Sequence, residues 1–239
     1  MRAMKGSIAI FLLVGSQIGF GQPSNSASRS FAGVDVILPI PKGYCLIERD
    51  DPLGALHYQL QDDGNQGRNI VAVLFADCAE WARKKTDNSY RVRKRGSYLF
   101  ILPKGEEKLL PLTYTRQKLV QGLVESEMSK QTFSSSKMRD EITKYVDDKL
   151  KSARIQVPTL ASELNMGIIG ISDYAVFMGV AMKVNYPNES SRITSVAAIT
   201  AVNRVLISMN LYADYSDTIF DVSLASQKLN IAALIAANH

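Results

Sequence analysis

The chain has 239 residues, 46% hydrophobic and 21% charged, a composition that suits one substantial globular core and excludes collagen-like, low-complexity and wholly disordered classes. Its formal net charge of +5 is a small excess over 28 basic and 23 acidic residues, so no nucleic-acid partner is expected, since that requires a concentrated basic face. Its two cysteines and two histidines, Cys45, Cys78, His57 and His239, lie at spacings unrelated to those of a structural zinc site.

Residues 1–21 read as a signal peptide. Arg2 and Lys5 precede a short apolar run, Ile8–Gly15, and Gly19 and Gly21 place small residues where a signal peptidase cuts. The run is shorter than the ~20 residues a spanning helix needs, and cleavage is expected after Gly21. No cysteine follows closely enough for lipidation, and no later stretch reads as long and apolar enough to span a bilayer. The mature chain is therefore expected to be periplasmic or secreted, without a transmembrane segment, at a net charge of +3 once Arg2 and Lys5 are gone.

Residues 22–33 are small, polar and aperiodic and read as a disordered lead-in, with a single α+β domain over 34–239. Val34–Leu38 reads as a strand, Pro39–Gly43 as a proline turn and Tyr44–Ile47 as a second extended piece. Asp50 and Asp51 before Pro52 mark a helix start, with Leu53, Leu56, His57 and Leu60 on its inner face and Asp62–Gly64 at its end. Asn69–Ala76 is a continuous β-rich run, which predicts a central strand covered on both faces.

Cys45 and Cys78 are the only cysteines, and an even count in an exported chain favours a disulfide over two buried thiols. Residues 79–85 read as a short helix. Tyr90–Arg95 reads as the start of a strand in which Arg91, Arg93 and Arg95 alternate onto one face, followed by Tyr98–Leu102. Such a face suits phosphate or carboxylate, which makes an envelope protein or an anionic surface the candidate partner. The simpler role is charge on an edge strand that blocks further pairing.

A helical pair is predicted mid-chain. Leu119, Val120, Leu123, Val124 and Met128 form a stripe within 113–130, and Met138, Ile142, Tyr145, Val146 and Leu150 form another over 134–152. Four strands follow: residues 166–172 and 174–184 around Asp173, then 195–202 and 205–213 around Asn203 and Arg204. The last helix starts near 217, capped by Ser216 or Asp217, and its expected inner face is Ile219, Val222, Leu229, Ala232, Ala233 and Ala236. The predicted class is α+β: a mainly antiparallel sheet packed by helices, with a C-terminal strand-strand-helix and a helical pair inserted mid-chain.

No catalytic constellation emerges. His57 and His239 are the only histidines, His57 reads as a structural imidazole, and no Gly-x-Ser-x-Gly motif is present. Glu106 with Glu107, and Asp147 with Asp148, read as solvated surface, and neither catalytic nor metal-binding residues nor a cofactor are assigned.

The Pro39–Cys45 turn, the Phe75–Cys78 strand end and the closing strand-strand-helix through Ala236–Asn238 resemble a group of exported bacterial proteins of unassigned function. They are also similar to the PsbP-like and DcrB-like fold. That resemblance implies an antiparallel sheet covered by helices, with the 113–152 pair as an insertion, and a non-enzymatic accessory role beside a membrane complex. It carries over no binding residue. The reading is a non-enzymatic accessory or binding protein; the alternatives are an envelope enzyme with a carboxylate and tyrosine site, or a secreted effector.

Overall fold

A computed structural model of the chain describes residues 26–31, 33–126, 159–185, 190–216 and 218–239. The strands are β1 (Ser26–Phe31), β2 (Val34–Pro39), β3 (Tyr44–Ile47), β4 (Asn69–Asp77), β5 (Arg95–Ile101), β6 (Thr159–Ile171), β7 (Val176–Asn185), β8 (Ser190–Val202) and β9 (Val205–Asp214). The helices are α1 (Pro52–Asn65), α2 (Cys78–Thr86), α3 (Arg116–Glu125) and α4 (Ile219–Ala236). The signal peptide, the second predicted mid-chain helix and Asp217 lie outside the described residues.

The predicted α+β class holds. Strands β3-β4-β5-β9-β8-β7-β6 form a seven-stranded sheet in that order, every neighbouring pair antiparallel, and β1 and β2 form a separate hairpin. The run from β6 to β9 is an antiparallel meander, because its connections are short. Asn203 and Arg204 take positive φ of 47° and 67°, the two-residue turn whose twist matches the strands it joins.

Two layers cover the sheet. On one face the β1–β2 hairpin and α4 close the largest cluster, which holds Val36, Leu38, Phe75, Tyr98, Phe100, Met209, Ile231 and Leu234. On the other, α1 and α2 bury Tyr58 and Trp81 against Val71, Leu74 and Leu99, while α3 lays Val120 on Val176, Met178 and Ile199. The two helical clusters on this second face are separate. Between them the in-register positions Ser97, Asn210 and Ala197, with Ser195 and Ser208 beside them, make a polar strip.

Several expectations change. The lead-in expected to be disordered carries β1, which pairs with β2 from Ser26 opposite Pro39 to Phe31 opposite Val34. Tertiary pairing supplies what its small residues lack: Ala27 is buried, Phe31 packs edge-on to Phe100 at 4.3 Å, and the Arg29 Nε–H donates to the Ala72 carbonyl at 2.9 Å. Strand β4 is covered on both faces as expected, but it lies one place from the sheet edge. The buried residues of α1 are Gly54 and Tyr58, with Leu53, Leu56, His57 and Leu60 only half-buried. Gly54 is required there, because a Cβ would stand 2.0 Å from the Glu48 carbonyl oxygen.

Helix α4 turns its other side inward. Gln227, Ile231, Leu234 and Ile235 are buried, whereas Val222 and Leu229 are 60% and 73% exposed. Leu229 and Ile231 differ by two residues, about 200° around a helix, so the expected and observed faces are opposite. The N-cap is Thr218 and makes no side-chain hydrogen bond. By length and composition α4 is also apolar enough to cross a membrane, contrary to the expectation that no later stretch is. In the fold it lies along β8, with the Gln227 amide donating to the Val196 and Met209 carbonyls at 2.8 and 2.9 Å.

Candidate functional site

The basic segment is built from α2 outward. Asp77 caps α2 by accepting from the amides of Ala79 and Glu80 at 3.0 and 3.1 Å. Arg83, Lys84 and Lys85 fill its last turn, where cations suit the negative end of the helix dipole. One turn back, a single Glu80 oxygen accepts the successive amides of Arg93 and Lys94 at 2.6 and 2.9 Å. Successive amides in a strand point to opposite edges, so this clamp is incompatible with a strand there. That overturns the predicted basic strand: residues 91–94 are a loop, and β5 begins at Arg95 between β4 and β9 instead of at a sheet edge.

The three arginines part company. Arg91 Nη2 lies 2.9 Å from both oxygens of Asp214, at the end of β9. Arg93 Nε reaches the same carboxylate at 3.5 Å while its side chain stays 56% exposed. Arg95 donates to the Val92 carbonyl at 3.1 Å and lies over the Tyr212 ring at 5.3 Å. Arg93 and Lys94 are exposed, and with exposed Arg83, three residues on from Glu80 along α2, they form a basic ledge. Lys85 turns away from it and pairs with Asp51 at 2.6 Å.

Under the ledge, the His57 ring meets Trp81 edge-on at 5.3 Å. Burial, then the charges of Lys84 and Arg95, push its pKa down to about 4. It is a neutral wedge between α1 and α2. Cys45 and Cys78 are joined, their Cα atoms 4.9 Å apart, because the β3–β4 register sets Cys45 opposite Ala76 and α2 begins two residues on. Among the described residues no group of three or more His, Cys, Asp or Glu side chains is placed to hold a metal ion.

A concavity lies elsewhere. A groove of about 800 Å³ runs between one side of α3 and the β6–β7 turn. Thr115 caps α3 through the Lys118 amide at 3.3 Å, which starts the helix just before Arg116. The Ser172 hydroxyl accepts from the amides of Tyr174 and Ala175 at 3.3 and 3.1 Å and folds the opposite wall into a tight turn. Arg116 donates through Nε to the Ala201 carbonyl at 2.7 Å and lies 5.8 Å from the Tyr174 ring centre. Val124, Ile171 and Tyr174 are exposed at 39%, 50% and 44%.

Sequence reasoning missed this groove and the polar strip. The strip left a trace, since Ser208, Asn210 and Tyr212 alternate with apolar residues along β9. In the fold Asn210 donates to Ser97 at 3.4 Å and Ser208 to Asn210 at 3.2 Å, and burial raises the pKa of the Tyr212 phenol. The groove left none, because its walls are 46 or more residues apart in the chain.

No family model matches the chain, and no curated protein matches it. Among solved structures it is similar to the cyanobacterial PsbP (CyanoP) of Synechocystis sp. PCC 6803, at 14% identity over 92% of this chain and 96% of that one, with a TM-score of 0.34. It is also similar to the Saccharomyces cerevisiae Ran-binding protein Mog1p, at 8% identity over 89% and 90% of the two chains, with a TM-score of 0.27. These values mark a loose likeness of overall fold and transfer no residue.

Proposed function

We propose that the protein is an exported, non-enzymatic accessory or binding protein that docks an acidic protein partner through the ledge of Arg83, Arg93 and Lys94. The observation that carries this reading is the Glu80 clamp. By accepting both the Arg93 and the Lys94 amides it immobilises a loop whose cationic side chains face solvent, so little ordering cost remains to be met on binding. A loop with only a solubilising role needs no such anchoring. The Cys45–Cys78 bridge supports an oxidising, extracytoplasmic compartment.

Cross-linking and pull-down from an envelope extract test this with the Arg93→Ala/Lys94→Ala variant beside the wild type. Arg91 and Arg95 are left intact because they hold structure. The expected result is an acidic partner recovered by the wild type, lost from the variant, and released at about 1 M salt, where the Debye length is about 3 Å. Equal recovery by the two proteins, or none by either, would overturn the reading.

A further inference from the structure

The groove beside α3 presents two chemistries side by side. Val120, Val124, Ile171 and Tyr174 line it, Val120 buried and the other three exposed, with Val120 and Val124 on α3 and Ile171 and Tyr174 on the other wall. Beside Tyr174 sits Arg116, which is half-buried and whose hydrogen bond among the described residues is to a backbone carbonyl. No carboxylate among the described residues compensates it, and burial lowers its pKa from the ordinary guanidinium value. A partly desolvated cation left without an anion is costly, and an anion that arrives with its own apolar surface answers both features.

Polarity along the groove narrows the occupant. Glu125 lies at the far end of α3, held by the Gln121 amide at 2.8 Å, and Asp173 lies on the turn. A ligand with negative charge along its length is repelled there, whereas one with a single terminal anion is not. Gln117 and Gln121 line the groove, and although the Gln121 NH2 is taken up by Glu125, its carbonyl and the Gln117 amide are groups that pair with a peptide backbone and have no counterpart on an alkyl chain. Ten residues of helix span about 15 Å, which matches four to five extended peptide residues.

We propose that this groove binds the apolar C-terminal segment of a partner protein, with the terminal carboxylate on Arg116, the last side chains against Val120, Val124 and Ile171, and the peptide backbone along Gln117 and Gln121. The site is separate from the basic ledge, and its test does not depend on that docking reading.

The test is fluorescence anisotropy of the full chain with a library of labelled pentapeptides whose last three residues are varied among Val, Leu, Ile and Phe, each made as free acid and as C-terminal amide. Free acids are expected to bind at least about tenfold more tightly than their amides. Arg116→Gln should erase that difference, Arg116→Lys should keep part of it, and Tyr174→Ala should weaken both forms. Because Arg116 also holds the Ala201 carbonyl, Ile171→Glu serves as a second variant: it is half-exposed, and it should block binding with the fold intact by circular dichroism. Acids and amides binding alike, no library member binding, or octanoate binding as tightly as the best peptide would each overturn the proposal, the last by assigning the groove to fatty carboxylates.

Discussion

Arg91 and Asp214, 123 positions apart in the chain, meet through one guanidinium nitrogen 2.9 Å from each carboxylate oxygen. Their side chains are 18% and 34% exposed, so the pair is neither a solvated surface bridge nor a fully buried one. It ties the 91–94 loop to the end of β9. Replacing Asp214 by Asn leaves the Arg91 charge desolvated and should cost about 1–3 kcal/mol in urea denaturation. Arg93→Ala removes a largely exposed chain with one 3.5 Å contact to Asp214 and should stay within about 0.5 kcal/mol. Equal effects of the two changes would show that the pair does not anchor the loop.

His57 sets an acid-side limit on stability. In the unfolded chain it takes up a proton below its ordinary pKa of 6.5, but in the fold only below about 4. Between those values the unfolded state binds more protons, so stability falls as pH drops from about 6.5 to 4 and is unaffected by this group above that window. The full loss is about 3 kcal/mol. His57→Phe keeps the edge contact with Trp81 and cannot protonate. Its urea midpoint should therefore decline less than that of the wild type between pH 7 and pH 4, and parallel declines would refute the assignment.

The Cys45–Cys78 bridge closes a loop with a sequence separation of 33, which in the chain-entropy treatment is worth about 3–4 kcal/mol. The Cys45→Ala/Cys78→Ala variant should lose about that much stability. Thiol titration of the denatured wild type should detect no free sulfhydryl before reduction and two after it. The α2 start should survive without the bridge, because Asp77 still caps it and the Cys78 amide still donates to the Gly43 carbonyl at 3.0 Å.

The two sides of α4 should respond differently to the same truncation. Leu234 is fully buried against the sheet, and Leu234→Ala should cost about 2–5 kcal/mol. Leu229, 73% exposed, should change stability by no more than about 0.5 kcal/mol on the same replacement. Thermal denaturation of the two variants side by side separates the observed packing from the opposite one, which would invert the order.

Strands β2 to β4 and β6 to β9, the Asn203–Arg204 turn, the Pro52 helix start and the pairing of the two cysteines were legible in the sequence, because each rests on local chemistry. Period-two alternation, a residue tolerant of positive φ, a proline where no amide is needed and an even cysteine count all act within a few residues or by simple exclusion. What the tertiary structure alone decided was non-local. Helix α4 has apolar residues on both sides, so its inner face depends on which one meets Val196 and Met209. Residues 26–31 become a strand only because β2 and Ala72 supply partners. Arg91, Arg93 and Arg95 alternate in sequence as a strand would, yet Glu80 and Asp214 hold residues 91–94 in a loop and β5 starts only at Arg95. The groove between α3 and the β6–β7 turn exists only once the sheet brings Arg116 beside Tyr174, a juxtaposition that no local pattern encodes.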